Sequence, residues 1–220
     1  MSRFLAPIHT WLFNKIKIQE DLEKNIILAL EEKYGKEVKY ITAAAEEEFG
    51  APLEDKPIEE LIDTSNIHGW LQSKITAAET REAVILTKTF EKHGKDAIDL
   101  VLSIHSKMGE FYGKDAASKY ELDTAPEIFN ALNNYILEGM PCDNVNSVTL
   151  NEDDKLQWAT SRCLHKGYWE AVNGDIDAFY SFRAEFVKQF VQNANSSFTY
   201  SVSKPEDDTT IVLLHEIKRI

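Results

Sequence analysis

Cys163 and His165 are the two residues of this chain whose types and spacing most directly suggest chemistry. A thiolate attacks electrophilic carbon, and an imidazole beside it can take up and return the proton. Two positions apart in an extended segment, they would point to the same face. Around them runs Trp158-Ala159-Thr160-Ser161-Arg162-Cys163-Leu164-His165-Lys166-Gly167-Tyr168-Trp169, with one of the two cysteines and two of the four tryptophans of the chain. Arg162 or Arg183 could hold a carboxylate with two parallel hydrogen bonds. Trp158, Tyr168, Trp169 and Tyr180 would then wall a pocket for a small anionic or heterocyclic ligand.

Each of these residues also has a plainer role. A lone strand cysteine usually behaves as a small buried hydrophobe, and most aromatic side chains are core. The plainer role of Arg183 is a surface ion pair. Cys163 and His165 could instead be two ligands of a metal, but no further cluster supplies the rest. The six histidines are scattered and no two lie four apart. No phosphate-binding glycine loop, H-E-x-x-H helix or G-x-S-x-G elbow is present, and no cofactor is implied.

Composition narrows the classes further. With 220 residues and 43% apolar content the chain can bury a continuous core. A net charge of −13 opposes binding to nucleic acid, which needs a basic face. Cys142 and Cys163 form neither a disulfide framework nor a C-x-x-C pair, so reduced thiols in the cytoplasm are expected. The apolar run Phe4 to Phe13 lacks a signal-peptide cleavage site, and no stretch approaches the ~18 uncharged residues of a membrane span.

The elements that must position the cysteine follow from periodicity. Helices are expected from about His9 to Tyr34, with Glu20 and Lys24 paired on the outer face, and from Glu37 to Phe49. A short helix follows at Ile58 to Ile62, then one ending near His93 and one from Lys95 to Tyr112. Gly35, Gly94 and Gly113, each followed by Lys and an acid, read as helix stops. On the last of these helices Ile98, Val101, Leu102, His105, Met108 and Phe111 form one stripe, His105 being a hydrogen-bonded core histidine. Thr124-Ala125-Pro126-Glu127 is a capping box opening a helix that closes at Gly139.

From Asn146 the period becomes two. Val148 and Leu150, then Leu156, Trp158 and Thr160, make a hairpin. Two helices follow, Lys166 to Val172 and one capped by Asp175, and a second strand pair ends the chain (Phe198 to Val202, Ile211 to Ile217). The fold class is α+β: a helical lobe over 1–140 packed on a four-stranded antiparallel sheet over 141–220, in ββ-αα-ββ order.

The C-terminal half resembles the L-2-amino-thiazoline-4-carboxylic acid hydrolase family. The resemblance lies in Phe111-Tyr112-Gly113-Lys114-Asp115, in Thr160-Ser161-Arg162-Cys163-Leu164 against that family's T-x-R-C-P strand end, in Asn195 to Tyr200, and in Glu206-Asp207-Asp208 at the final hairpin. Leu164 stands where proline is usual, Tyr180 to Arg183 occupies the place of a C-x-x-D piece, and Ile211 to Leu214 has no cysteine. Only Arg162 and Cys163 carry over residue by residue. The resemblance implies hydrolytic opening of a cyclic C–N or C–S amidine bond in a small carboxylated ring. Cys163 would be the nucleophile, or His165 the base for a water, and Arg162 would hold the carboxylate. Two other classes compete: a non-catalytic module binding a small ligand, and a homodimer built on the Phe4–Trp11 arm.

Overall fold

The computed structural model describes residues 5–205 and 212–220. They form seven α-helices and four strands: α1 (Pro7–Tyr34), α2 (Lys36–Phe49), α3 (Ile58–Leu61), α4 (Ile67–Lys119), α5 (Ala125–Leu132), β1 (Asn146–Glu152), β2 (Lys155–Thr160), α6 (Lys166–Ala171), α7 (Ile176–Ala194), β3 (Phe198–Ser203) and β4 (Leu213–Arg219). The fold is α+β, with the expected ββ-αα-ββ order. Of the expected features, Phe4, Ile211 and the Glu206–Asp208 turn lie outside the described residues. The chain divides into two compact units that interleave in sequence. One takes the chain up to Val101 with Ile136–Met140 and His165–Ile176; the other takes Leu102–Tyr135, Pro141–Leu164 and Asp177–Ile220.

The first unit is helical. Its apolar centre joins Leu12, Phe13 and Ile16 of α1 to Ile58, Ile62, Leu71, Ile75 and Leu137. Leu5 and Trp11 pack on the same cluster, so the described part of the N-terminal arm is folded back on its own unit, with Ile8 left 48% exposed. The stretch Arg81–Thr87 of α4 is buried on every side, which marks it as the central helix. Gly35 ends α1 and Gly50 ends α2, both at positive φ. Gly94, at φ 56 and ψ −140, breaks α4 into two helical runs. All three sit in a conformation that side chains with a Cβ rarely adopt.

In the second unit the sheet order is β1-β2-β4-β3, antiparallel throughout. Leu156, Trp158, Leu213, Ile217, Phe198 and Tyr200 share its buried face, and α5 packs against β1, β2 and β4. The other face carries Lys155, Gln157 and Glu216, joined by hydrogen bonds and an ion pair. The capping box holds: Thr124 Oγ1 accepts from Glu127 N–H at 3.4 Å, and the Glu127 carboxylate accepts from Thr124 N–H at 2.9 Å. The N–H of Ala125 donates to the Asp153 carbonyl at 2.7 Å, which ties the start of α5 to the β1–β2 turn.

Four expectations need correcting. Glu20 is not on an outer face; it is 9% exposed and ion-paired with Arg81. Phe111 is 59% exposed and leaves the buried stripe, whose place Tyr112 takes at 8%; a 3.6-residue period carried over four turns puts 112, not 111, in phase. The capped helix ends at Leu132, and Gly139, at φ 65, closes a separate turn segment. Gly113 stops nothing, since α4 continues to Lys119. Its role is contact: a Cβ there would lie 2.5 Å from the Phe190 carbonyl oxygen of α7, and a Cβ on Gly109 would run into the Phe186 carbonyl. Backbone therefore meets backbone at two successive turns.

Gly113→Ala should destabilise the protein by about 1–3 kcal/mol despite alanine's better helix propensity, because the atom met is a main-chain carbonyl that cannot swing aside. Urea midpoints for the variant and for the exposed control Ala117→Gly measure this. Equal or higher stability in Gly113→Ala would rule out the close approach.

Candidate functional site

The sheet-proximal candidates fall into separate surroundings. β2 ends at Thr160, where Ser161 N–H turns to the Val145 carbonyl at 2.9 Å. Residues 161–165 are therefore not an extended strand, and His165 already has the helical dihedrals φ −87 and ψ −27. The premise that Cys163 and His165 share a strand face does not hold. Cys163, Arg162, Trp158, Tyr180 and Arg183 belong to the second unit, and His165, Tyr168 and Trp169 to the first. Cys163 is half-buried, and among the described residues no disulfide joins it to Cys142. Arg162 is exposed, 3.7 Å from the Asp143 carboxylate. Tyr180 and Arg183 are half-buried on α7.

Trp158 is 4% exposed and stacks on His215 with ring centroids 4.7 Å apart and planes within 3°. His215 was not singled out by its sequence context, yet both its nitrogens are engaged. Tyr200 Oη lies 2.7 Å from Nδ1, and Thr160 Oγ1 lies 3.2 Å from Nε2 and donates to Asn146 Oδ1 at 2.6 Å. The protons that satisfy every group run from Tyr200 to His215, from His215 to Thr160 and from Thr160 to Asn146. In that order the imidazole donates to the threonine hydroxyl. It is not a base for it, and the string is a brace across β1, β2, β4 and β3.

The first unit holds a denser set of titratable groups. His165 is 3% exposed; its Nδ1 lies 2.9 and 3.0 Å from the two oxygens of Glu79, and its Nε2 lies 3.4 Å from Glu138. Nδ1 is therefore held by the Glu79 carboxylate, and Nε2 faces a second carboxylate. One helical turn beyond Glu79, Glu82 is 3% exposed and takes a hydrogen bond from the Gln19 amide at 2.6 Å. Burial first, then the charges of Glu79 and Glu23, push the Glu82 carboxyl up to about 8, so it is a neutral acid at pH 7. Beside it, Arg81 is fully buried. It donates to Glu23 from Nε at 2.8 Å and from Nη2 at 2.5 Å, to Glu20 at 3.2 Å and to the Gly50 carbonyl at 2.8 Å. Burial raises the Glu23 carboxyl above its usual range, Arg81 partly opposing it.

The sequence did carry a signal for this cluster. Glu20 and Glu23 lie four and seven residues after Ile16, and Glu79 and Glu82 four and seven after Ile75, so both pairs are in phase with buried apolar positions. Acids at core phase on two helices need partners, and Arg81, Gln19 and His165 are those partners.

Beside the cluster, between α1 and α2, lies a groove of about 720 Å³. Its lining includes Glu20, Asp21, Glu23, Lys24, Lys39, Thr42 and Glu46, with Ile27, Leu28 and Leu53. Elsewhere in the unit His9 and His68 approach with Nε2 atoms 3.2 Å apart, but His9 Nδ1 accepts the Ala6 N–H, so Nε2 carries the proton that a metal ligand must lose. Among the described residues no group of three or more His, Cys, Asp or Glu side chains is arranged to hold a metal ion, and no helix is long and apolar enough to cross a membrane.

A buried acid that keeps its proton more tightly in the folded chain costs nothing below its ordinary 4.5 and progressively more as the pH rises to about 8. Glu82→Gln keeps the Gln19 hydrogen bond and removes that cost. Its stability advantage over the parent should grow between pH 4.5 and pH 8, on the order of a few kcal/mol at the top, and stay constant above. Urea midpoints of both proteins across that range check it, and parallel curves would contradict a protonated Glu82.

No family model, curated protein or solved structure matches the chain. The likeness to thiazoline-carboxylate hydrolases accordingly rests on the quoted segments alone.

Proposed function

We propose that this protein is a non-catalytic small-ligand-binding module whose ligand occupies the groove between α1 and α2. The observation that carries the reading is the groove itself. About 720 Å³ falls within the size of small-molecule sites, and the lining is mostly charged, with Ile27, Leu28 and Leu53 as its main apolar side chains. A thiol hydrolase is the competing reading. It would pair the Cys163 thiolate with His165 as base, and the contacts of His165 with Glu79 and Glu138 weigh against that role. The cytoplasm is the proposed location, since neither cysteine is in a disulfide among the described residues. Among the large apolar side chains of the described arm, Ile8 is exposed and available for a homodimer contact.

Two-dimensional NMR of the labelled protein against a chemically mixed fragment library should show shifts clustered at residues 17–55, unchanged by Cys163→Ser. In parallel, 2-amino-thiazoline-4-carboxylate should survive incubation with the protein. Ring opening that disappears in Cys163→Ser would overturn the binding reading in favour of the hydrolase. For the dimer, sedimentation of the parent should give twice the monomer mass and of Ile8→Glu the monomer mass; a monomeric parent would dispose of it.

A further inference from the structure

We propose that the α1–α2 groove receives a short helical peptide segment of another protein, cationic and carrying an aromatic anchor. The proposal rests on the binding reading above and names the class of ligand.

It starts from a repeat. The pattern I-H-x-W-L-x-x-K-I-x-x-x-E-x-x-E begins at Ile8 and again at Ile67, and E-K-x-G-K follows in the same phase at Glu32 and Glu91. His9 and His68, in equivalent places 59 positions apart, touch each other. Other contacts are reciprocal, as a two-fold arrangement requires. Asp96, after the second glycine, takes Lys33 and Tyr34 from before the first, at 2.6 and 2.7 Å. Glu37, after the first glycine, takes Lys92 and His93 from before the second. The rings of Tyr34 and His93, themselves equivalent, stack with centroids 3.8 Å apart. In the helical unit, α1 and the first run of α4 are thus two copies of one element.

The two copies differ in what covers the same face. On α4 the chain's own segment, from His165 to Gly174, lies over Thr76, Glu79 and Thr87. Tyr168 Oη is 3.4 Å from Thr76 Oγ1, His165 Nδ1 meets Glu79, and a Cβ on Gly174 would come within 2.5 Å of Thr87 Oγ1. At the centre of that segment is α6, six residues long, with Trp169 buried. The equivalents of Thr76, Glu79 and Thr87 on α1 are Lys17, Glu20 and Leu28, and all three line the groove. Leu28 is 54% exposed where Thr87 is 7%, and Lys24 is exposed where Ala83 is buried. The face that α6 closes on one copy is open on the other.

That filled face is a template for the occupant, and charge adapts it. Six carboxylates line the groove against three lysines, of which Lys17 and Lys39 already pair with Asp55 and Glu31. Cationic side chains are therefore drawn in, where the filled face has His165 against Glu79. Ile27, Leu28 and Leu53 supply apolar ground for the aromatic anchor, the part that Trp169 plays in α6. A second copy of this chain does not supply the segment, because its own His165 and Trp169 are buried within the helical unit.

The probe is a fluorescein-labelled peptide of residues 162–174 carrying Cys163→Ser and Glu170→Lys, titrated with the protein and followed by anisotropy beside a scrambled peptide of the same composition. The first should bind saturably, and the scramble about tenfold more weakly or worse. Leu28→Arg in the protein should weaken binding by about tenfold or more, since it sets a cation where the anchor rests. Lys24→Ala should tighten binding severalfold, alanine being what the filled face has there. Melting temperatures without peptide show that both variants keep the fold. Equal affinity for peptide and scramble, or for parent and Leu28→Arg, would overturn the proposal, as would an absence of saturable binding. If fragments map to residues 17–55 by NMR while the peptide does not bind, the peptide assignment falls and the groove reading stands. If neither binds, both fall.

Discussion

The guanidinium of Arg81, with no exposed surface, is the point on which the helical unit turns. It rises from the central part of α4 and reaches two carboxylates of α1 and the last carbonyl before the α2–α3 connection. A cation in that position could not stay charged alone, and neither could Glu20 or Glu23, because burying an unpaired ion costs several kcal/mol. Each makes the others tolerable, and the geometry of the pairing fixes where α1, α2 and α4 meet. The groove beside them inherits its shape and its charge from that junction.

The same constraint explains how the neighbouring acids are accommodated. Glu79 faces His165, whose second nitrogen faces Glu138. Glu82, next in line, has an amide partner in Gln19 and keeps its proton. Charge in this interior is thus balanced by pairing where a cation is in reach and by neutralisation where none is. In the sheet unit a string of hydrogen bonds passes from Tyr200 through His215 and Thr160 to Asn146.

Much of the architecture could be read from the chain. Gly35 and Gly94, both at positive φ, located the end of α1 and the break in α4, and the Thr124 capping box located the start of α5. Alternation over Leu156, Trp158 and Thr160 gave the strand next to β4. Gly113 misled because a glycine needed for close contact and one needed for a turn look alike in sequence; only the Phe190 carbonyl tells them apart. The buried acids were harder still. Glu20 four residues before Lys24 has the spacing of a surface pair, and nothing local reveals that Arg81, 61 positions on, is its partner. The reactivity of Cys163 and His165 is plain from their residue types, whereas the surroundings of His165 are set by Glu79 and Glu138, 86 and 27 positions earlier in the chain.

The tryptophans are distributed in a way that makes the molecule report on itself. Trp11, Trp70 and Trp169 belong to the helical unit, and Trp158 is the sheet unit's one tryptophan. Its indole lies flat on the imidazole of His215, a ring contact that alters its emission. Separation of the strands would change the signal of that single fluorophore. The other three report on the helical unit, so a chain in which they are replaced by phenylalanine reports on the sheet alone.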